Sequence, residues 1–258
     1  MFDWVKEGLL KPQKIINIRN IPGLDKISYD PKKGMSIESN VTLAEIASNV
    51  EIKNNYLTLH QAVNHAATPQ LRNMSTLGGN IAQRNRCWYF HSADHDCFRK
   101  GGDRCFARNS ETGENENHAI IDNGSCVSLH ASSIATALMA FNASVVSING
   151  EGEKKKVTMD DFFVPPSKDI AMENNLQTKE IILPAPTKNT KSAYIKQVAR
   201  ESYDWSLGDV AVVFEVSGNT CRTASIVLGA AAPVPYRSME IHPTNSSANS
   251  FALETPMG

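Results

Sequence analysis

Residues 76–90 read TLGGNIAQRNRCWYF and place a glycine pair eight residues ahead of a cysteine. That cysteine is the first of four, Cys87, Cys97, Cys105 and Cys126, which fall within forty residues. A glycine turn lets backbone N–H groups approach a phosphate closely, and iron–sulfur clusters are held by four Cys thiolates. Neither feature decides a function alone, but the two together are what an iron–sulfur flavoprotein needs.

The composition of the 258-residue chain is typical of a globular protein, with 41% hydrophobic and 21% charged residues. Its 26 basic and 27 acidic residues give a net charge of −1, so no strong field favours nucleic acid or an anionic membrane. The sequence contains no secretory signal and no apolar run of membrane-spanning length. We therefore expect a cytoplasmic protein, with a periplasmic location only if a signal-bearing partner exports it. In that compartment five cysteines favour metal or redox use over disulfides.

Periodicity and chain breakers predict an α+β chain of two units. Strands are predicted at 15–18, 35–37, 144–148, near 157, at 193–198, 211–216 and 223–228, and helices at 42–49, 57–67 and 134–141. Residues 70–74 are predicted to be a connector, 165–179 an excursion, and 245–250 part of a frayed tail. The polar segment 83–124 has little apolar periodicity, and loops of that length are usually functional or disordered.

The cysteines follow the spacing C-x9-C-x7-C-x20-C, without any close pair. Structural zinc sites usually supply ligands in close pairs, whereas a dispersed set suits a loop wrapped around a larger group. Basic residues near the first three cysteines would offset the negative charge of a thiolate-ligated cluster; they are Arg84, Arg86, Arg99, Lys100, Arg104 and Arg108. His91, His95 and His118 are further possible ligands. The spacing leaves an iron–sulfur cluster, a zinc site and free thiols all open.

The run 76–90 resembles the FAD-binding subunits of molybdenum hydroxylases, the xanthine dehydrogenase and carbon monoxide dehydrogenase flavoprotein family. It is most similar to the branch with an extra cysteine loop, found in bacterial aldehyde oxidoreductases and 4-hydroxybenzoyl-CoA reductase. In that branch the loop binds a [4Fe-4S] cluster, and a His-Ala-Ile/Val stretch precedes the last cysteine, as HAII at 118–121 precedes Cys126 here. The resemblance therefore implies that Cys87, Cys97, Cys105 and Cys126 are the cluster ligands.

The resemblance extends over nearly the whole chain, through residues 15–24, 194–200, 210–213 and 228–237. It implies an FAD-binding PCMH-type domain over 1–187, with the iron–sulfur loop inserted at 83–126. A domain similar to the C-terminal α+β domain of the CO dehydrogenase flavoprotein is expected to follow over 188–258. Residues 1–11 match the segment that follows the family's first FAD loop, so the resemblance implies an N-terminally incomplete FAD domain and a partial C-terminal domain.

The family's second FAD loop corresponds to Thr76, Leu77, Gly78, Gly79 and Asn80. The resemblance implies that the N–H groups of Gly78, Gly79 and Asn80 face the FAD pyrophosphate. His130, Ser132 and Ser133 match its His-Pro-Ser-Asp pattern, with Ser133 in place of the aspartate that helps to hold the flavin. Lys196 matches a lysine close to the isoalloxazine ring. No catalytic residue is implied in this chain.

The resemblance implies an electron-transfer subunit that carries FAD and a [4Fe-4S] cluster and relays electrons between partner iron–sulfur centres and an external acceptor. The implied partners are a molybdopterin-binding large subunit and a [2Fe-2S] small subunit, with no nucleic acid and no membrane span. The alternative is a non-catalytic, truncated homologue that keeps the four-cysteine metal site, iron–sulfur or zinc, as a structural staple.

Overall fold

The computed structural model of the chain describes residues 5–6, 8, 10–108, 111, 113–121, 124–163, 177–200, 203–218 and 220–238. Residues 1–4, 165–176 of the expected excursion and the expected tail at 245–250 lie outside the described residues. The described part is an α+β arrangement of two antiparallel sheets with helices packed between and beside them. This confirms the fold class expected from the sequence.

The first sheet has five strands in the order β1-β2-β5-β3-β4. Its strands are β1 (Ile27–Asp30), β2 (Gly34–Glu38), β3 (Ser144–Ile148), β4 (Lys154–Thr158) and β5 (Gln177–Leu183). Ile37 and Val145 both lie opposite Ile181, and all three side chains are fully buried. This row fixes the register of the central strands, because a one-residue slip would turn the apolar side chains to the other face.

Five short helices follow β2: α1 (Leu43–Ser48), α2 (Val50–Asn55), α3 (Leu57–Asn64), α4 (Pro69–Met74) and α5 (Leu77–Ile81). Thr42 and Glu45 form the predicted capping box at the start of α1. The prediction of a connector at 70–74 was wrong. Thr68 caps a helix there and Pro69 occupies its first turn, where the missing N–H is no disadvantage.

The second sheet has the order β6-β7-β8-β9. Its strands are β6 (Thr190–Gln197), β7 (Gly208–Ser217), β8 (Thr220–Gly229) and β9 (Tyr236–Arg237). The apolar helix α7 (Ser133–Ala140) packs against α3 and this sheet, and the short helix α8 (Met159–Phe162) packs against α7. One hydrophobic core joins Leu138 of α7, Ile181 of the first sheet and Val227 of the second.

Two further predictions from the sequence were wrong at strand positions. Residues 15–18 form no strand, and Ile15 and Ile16 are 62% and 78% exposed, because this apolar run has no neighbouring strand among the described residues. Residues 177–179, assigned to the excursion, belong to β5. The strands expected at 35–37, 144–148, near 157, at 193–198, 211–216 and 223–228 are confirmed in type, with boundary shifts of a few residues.

The cysteine loop, residues 83–126, contains no strand in its described part. It consists of α6 (Trp88–His91), two 3-10 turns at Phe98–Lys100 and Phe106–Arg108, and irregular chain. Ala107, Ala119 and Val127 form a small hydrophobic cluster separate from the main core. The loop therefore folds back on itself over a limited apolar base. Whether residues 1–187 and 188–258 are separate domains stays a prediction.

Candidate functional site

The four cysteines that are far apart in sequence line a single cavity, which we call the cysteine cavity. Phe98, Phe106 and Phe90 complete its apolar wall, with Arg99 and Ser128 on the polar side. Its volume is about 10 Å³, room for about one water molecule, so a larger group would have to move the thiols apart. The donor set itself fits a thiolate-ligated group.

Hydrogen bonds around Cys126 favour its thiolate form. Arg99 Nε donates to Cys126 Sγ at 3.2 Å, and Ser128 Oγ lies 3.2 Å from the same sulfur. A hydrogen bond between Cys105 and Cys126 raises the pKa of Cys105 and lowers the pKa of Cys126, with Ser128 and Arg99 adding to the latter effect. Of these two cysteines, Cys126 is therefore the one whose surroundings favour the thiolate, the form in which a cysteine ligates metals.

Cys87 has a different set of neighbours. Burial raises the pKa of its thiol, although the backbone N–H groups of Phe90 and Tyr89 donate to the sulfur and oppose that shift. Its Sγ also lies 3.3 Å from Nε2 of His118. Among the other histidines considered as ligands, His91 Nε2 lies 3.0 Å from Asn85 O and His95 Nδ1 lies 2.9 Å from Ser92 Oγ.

Single-ion ligation finds no support in this geometry. Within the described ranges, no group of three or more His, Cys, Asp or Glu side chains is arranged to hold a metal ion. The four thiols that line the cysteine cavity are therefore not arranged here as a metal-ligating set, for zinc or for a cluster.

A second and much larger cavity, of about 480 Å³, adjoins the cysteine loop, and we call it the large cavity. It lies between that loop, the start of α7 and the segment 199–209 that leads into β7. Cys87 lines both cavities. Its lining also includes Arg86, Trp88, His118, His130, Ser133, Asp204, Trp205 and Asp209.

Four buried polar atoms on residues lining the large cavity have no hydrogen-bond partner among the described residues. They are His118 Nδ1, His130 Nε2, Ser206 Oγ and Asp209 Oδ1. Leaving such an atom unpaired costs about 1–3 kcal/mol. Each of these groups has a polar neighbour within the protein: the Asn115 backbone beside His118, the Ile81 backbone beside His130, and Ser206 beside Asp209. Burial lowers the pKa of His130 to about 4, which keeps its imidazole neutral at neutral pH.

Asp209 is the site residue that the sequence analysis missed. It is 6% exposed, and burial raises the pKa of its carboxyl group. Ser133 Oγ donates to Asp209 Oδ2 at 3.5 Å, so a carboxyl group lies beside the position where Ser133 replaces the family's aspartate. Gly229 makes this possible, because a Cβ there would lie 2.1 Å from Asp209 Oδ1. The available signal was a lone aspartate at the start of an otherwise apolar strand.

The glycine pair differs from its expected geometry. Thr76 caps α5, and Gly78, Gly79 and Asn80 donate their N–H groups to Ser39 O, Thr76 Oγ1 and Thr76 O at 2.9, 3.2 and 2.9 Å. These groups therefore bond within the chain. Gly78 is required by packing, since a Cβ there would lie 2.8 Å from Ser39 Cβ.

The other residues expected to bind FAD lie in two places, at the contact between α5 and α7 and near the end of β6. Ser132 Oγ donates to Asn80 Oδ1 at 2.6 Å and accepts from Ala135 N, which joins α5 to the start of α7; Leu77 is buried in the core. Lys196 Nζ donates to His65 O and Asp204 O at 3.0 and 2.7 Å, and burial lowers its pKa. Only His130 and Ser133 of the expected set line the large cavity, and the assignment of the set to FAD stays a prediction.

The described residues thus form an α+β scaffold with a large, mainly apolar cavity beside one lined by four thiols. The chain matches the family described as "FAD binding domain in molybdopterin dehydrogenase" over residues 1–186, and it belongs to that family.

Named relatives agree with this assignment. The chain is 30% identical over 242 residues to the aldehyde oxidoreductase FAD-binding subunit PaoB of Escherichia coli, covering 92% of this chain and 74% of that protein. It is 22% identical to the glyceraldehyde dehydrogenase medium chain of Sulfolobus acidocaldarius, covering 92% of this chain and 67% of that protein.

The fold matches that of a solved carbon monoxide dehydrogenase from Hydrogenophaga pseudoflava, with a TM-score of 0.68 and 23% identity, covering 92% of this chain and 66% of that chain. The fold expectation, an FAD-binding domain of the CO dehydrogenase medium-chain type, is confirmed. The chain is the FAD-binding, flavoprotein type of subunit found in molybdenum-containing oxidoreductases. No helix in the part of the chain that the structure describes could cross a membrane.

Proposed function

We propose that the chain is an electron-transfer subunit that binds FAD and a [4Fe-4S] cluster and relays electrons between partner iron–sulfur centres and an external acceptor. The observation that carries the proposal is the shared wall of two cavities. Four cysteines line one cavity, a mainly apolar cavity of about 480 Å³ with several polar groups in its lining adjoins it, and Cys87 lines both. Two redox groups held in neighbouring cavities of one chain have a short path between them.

The large cavity is the proposed site of the redox-active part of FAD. Bound FAD would supply the electron-accepting ring, while the protein supplies position and electrostatics. His130 and Asp209 would present buried polar groups to a ring with N–H and C=O groups, and Ser133 Oγ donates to the Asp209 carboxyl group. The expected loop, Thr76 to Asn80, Ser132 and Lys196 would support these residues through the helix caps and backbone contacts described above.

The cysteine cavity is the proposed site of the cluster, with Cys87, Cys97, Cys105 and Cys126 as its ligands. Cluster-binding sites use hydrogen bonds to sulfur to offset the charge of the ligated iron. Arg99 and Ser128 at Cys126, and two backbone N–H groups at Cys87, meet that requirement. The side chains would separate on binding, which an irregular loop accommodates more readily than a sheet or helix does.

The partners are part of the same proposal: a molybdopterin-binding large subunit and a [2Fe-2S] small subunit. The relatives support it, since they are described as a FAD-binding subunit and a medium chain. We also propose two domains with a boundary near residue 187, which is supported by the family match ending at 186 and by β6 beginning at Thr190. The cytoplasmic location stays a prediction.

Metal and flavin analysis of the anaerobically purified chain tests the proposal. We expect about four iron atoms, one FAD and no stoichiometric zinc per chain. Cys126→Ser should abolish stoichiometric iron, whereas Cys221→Ser should not, because Cys221 lies on β8 and donates its thiol to Thr223 O.

Each contrary result has a distinct meaning. Stoichiometric zinc without flavin would favour the alternative, a non-catalytic homologue with a metal staple. Iron that stays absent even after reconstitution would refute the cluster. Failure to bind FAD at saturating concentration would refute the flavin site in this chain.

A further inference from the structure

His118 occupies the wall between the cysteine cavity and the large cavity. Its side chain lines the large cavity, and its Nε2 lies 3.3 Å from Sγ of Cys87, which lines both. The residue is 7% exposed, so its ring cannot turn freely towards solvent. An imidazole has one nitrogen on each side of the ring, and in His118 Nε2 lies at the sulfur while Nδ1 is buried on the other side.

The contacts of the ring limit its hydrogen-bonding roles. Trp88 packs edge to face on it, with ring centroids 5.5 Å apart, and the backbone N–H of His118 donates to Asn115 O at 3.0 Å. If Nε2 carries the proton, it donates to Cys87 Sγ, and Nδ1 is left as a hydrogen-bond acceptor. Nδ1 is buried and makes no well-aligned hydrogen bond to a described residue, while the nearby Asn115 backbone partly opposes the lowering of the His118 pKa by burial.

We infer that His118 is a positioning residue that connects the two cofactor sites, with Nε2–H held on the Cys87 ligand and Nδ1 accepting an N–H or O–H group of the flavin. This inference rests on the proposed function. A hydrogen bond to a ligating sulfur stabilises the additional negative charge of a reduced cluster and raises its reduction potential. A hydrogen bond at Nδ1 fixes the flavin on the side of the large cavity nearest Cys87.

The two contacts can be separated by substitution. His118→Phe keeps a ring of similar shape but removes both nitrogens. His118→Gln extends an amide towards the position of Nε2, and His118→Asn places one near the position of Nδ1. His95→Phe is the matched control, because His95 lies in the same loop and packs on Tyr89 and Phe106 without lining either cavity.

The test measures three quantities on the full chain: iron and FAD content, the cluster potential from an EPR-monitored titration, and the Kd of FAD. We expect His118→Phe to retain iron, to lower the cluster potential and to weaken FAD binding about tenfold, the loss of one hydrogen bond. His118→Gln should restore the potential more than the FAD affinity, and His118→Asn should do the reverse.

The possible outcomes separate the inference about His118 from the proposed function on which it rests. If the wild-type chain binds iron and FAD but His118→Phe matches His95→Phe in potential and Kd, the inference is overturned while the proposed function stands. Wild-type protein without iron or FAD refutes the proposed function and the inference with it. Should His118→Phe fail to fold, as judged by far-UV circular dichroism, the opposite responses of the Gln and Asn variants still decide the question.

Discussion

The core around α7 and the cysteine loop are held together in different ways. In α7 every residue from Ile134 to Ala140 is buried, and the helix packs between α3 and the second sheet. The loop, residues 83–126, has only the small cluster of Ala107, Ala119 and Val127 as an apolar base, and much of the rest is fixed by hydrogen bonds to sulfur, backbone and ring nitrogens. The core is therefore stabilised by burial, whereas the loop depends on polar contacts and on any group bound by the thiols.

The comparison predicts unequal responses to the same kind of substitution. Loss of apolar volume in the core should lower the stability of the whole fold, because the transition that exposes α7 is global. Loss of volume in the loop should open only the loop. The two cavities lie where the cysteine loop meets the core. Substitutions of the residues that line them should therefore change both the order of the loop and the stability of the fold.

The largest effect is expected for Leu138→Ala. Leu138 is fully buried at the centre of the core, and such truncations cost about 2–5 kcal/mol in lost burial and cavity formation. Urea denaturation followed by circular dichroism measures the change in the free energy of unfolding. Leu71→Ala is the control, since Leu71 is 55% exposed and should change that free energy by no more than about 0.5 kcal/mol. Equal effects of the two variants would contradict the expectation that burial in the core around α7 stabilises the fold.

His130, which lines the large cavity, should make the stability of the fold depend on pH. Its pKa falls from 6.5 to about 4 on folding because it is buried, so between these pH values the unfolded chain binds more protons than the folded chain. Stability from this group is complete above pH 6.5 and is lost as the pH falls towards 4, by on the order of 3 kcal/mol.

Denaturation curves of the wild type and His130→Gln at pH 7 and pH 4.5 check this sign. We expect the variant to lose less stability on acidification than the wild type. Comparison with the variant removes the opposing contribution of Asp209, whose raised pKa favours the folded state at low pH. A variant with the same acid sensitivity as the wild type would show that His130 is not buried as a neutral ring.

Local signals made much of the core predictable from sequence. The capping box of Thr42 and Glu45, the Ser132 cap before an apolar helix and the alternating runs of β7 and β8 are patterns of neighbouring residues. The strand predicted at 15–18 failed because an apolar run becomes a strand only beside another strand. That partner is a property of the tertiary structure.

The site was predictable in composition and much less in geometry. The resemblance implied that the four cysteines form one site, and all four line one cavity, but the contact of Ser133 with Asp209 joins residues 76 positions apart. The close approach of Gly78 to Ser39 is likewise long-range. Family resemblance suggested a phosphate contact for this glycine, whereas the geometry provides a packing reason that no local pattern contains.

Substitutions of Gly78 and Gly79 test the same comparison at the edge of the core. Gly78→Ala should destabilise the fold by about 1–3 kcal/mol, because the new Cβ would lie 2.8 Å from Ser39 Cβ and force the backbone apart. Gly79→Ala should be far milder, since Gly79 is exposed and its Cβ would meet only Thr76 Oγ1 at 3.2 Å. Thermal unfolding ranks the two variants. Isothermal titration with FAD then shows whether Gly79→Ala weakens cofactor binding without a loss of stability, the result expected of a pyrophosphate contact.

The smallest global effect is expected for Val127→Ala in the base of the cysteine loop. Val127 packs on Ala107 and Ala119, and its carbonyl accepts the Ala119 N–H at 2.7 Å. Because this cluster is separate from the core, the free energy of global unfolding should change by less than about 1 kcal/mol, while local opening of the loop becomes easier. Hydrogen exchange should show faster exchange at Ala119 and unchanged protection at β3. Equal loss of protection at β3 would mean that the loop and the core unfold as one unit. The contrast between a core stabilised by burial and a loop stabilised by polar contacts would then be wrong.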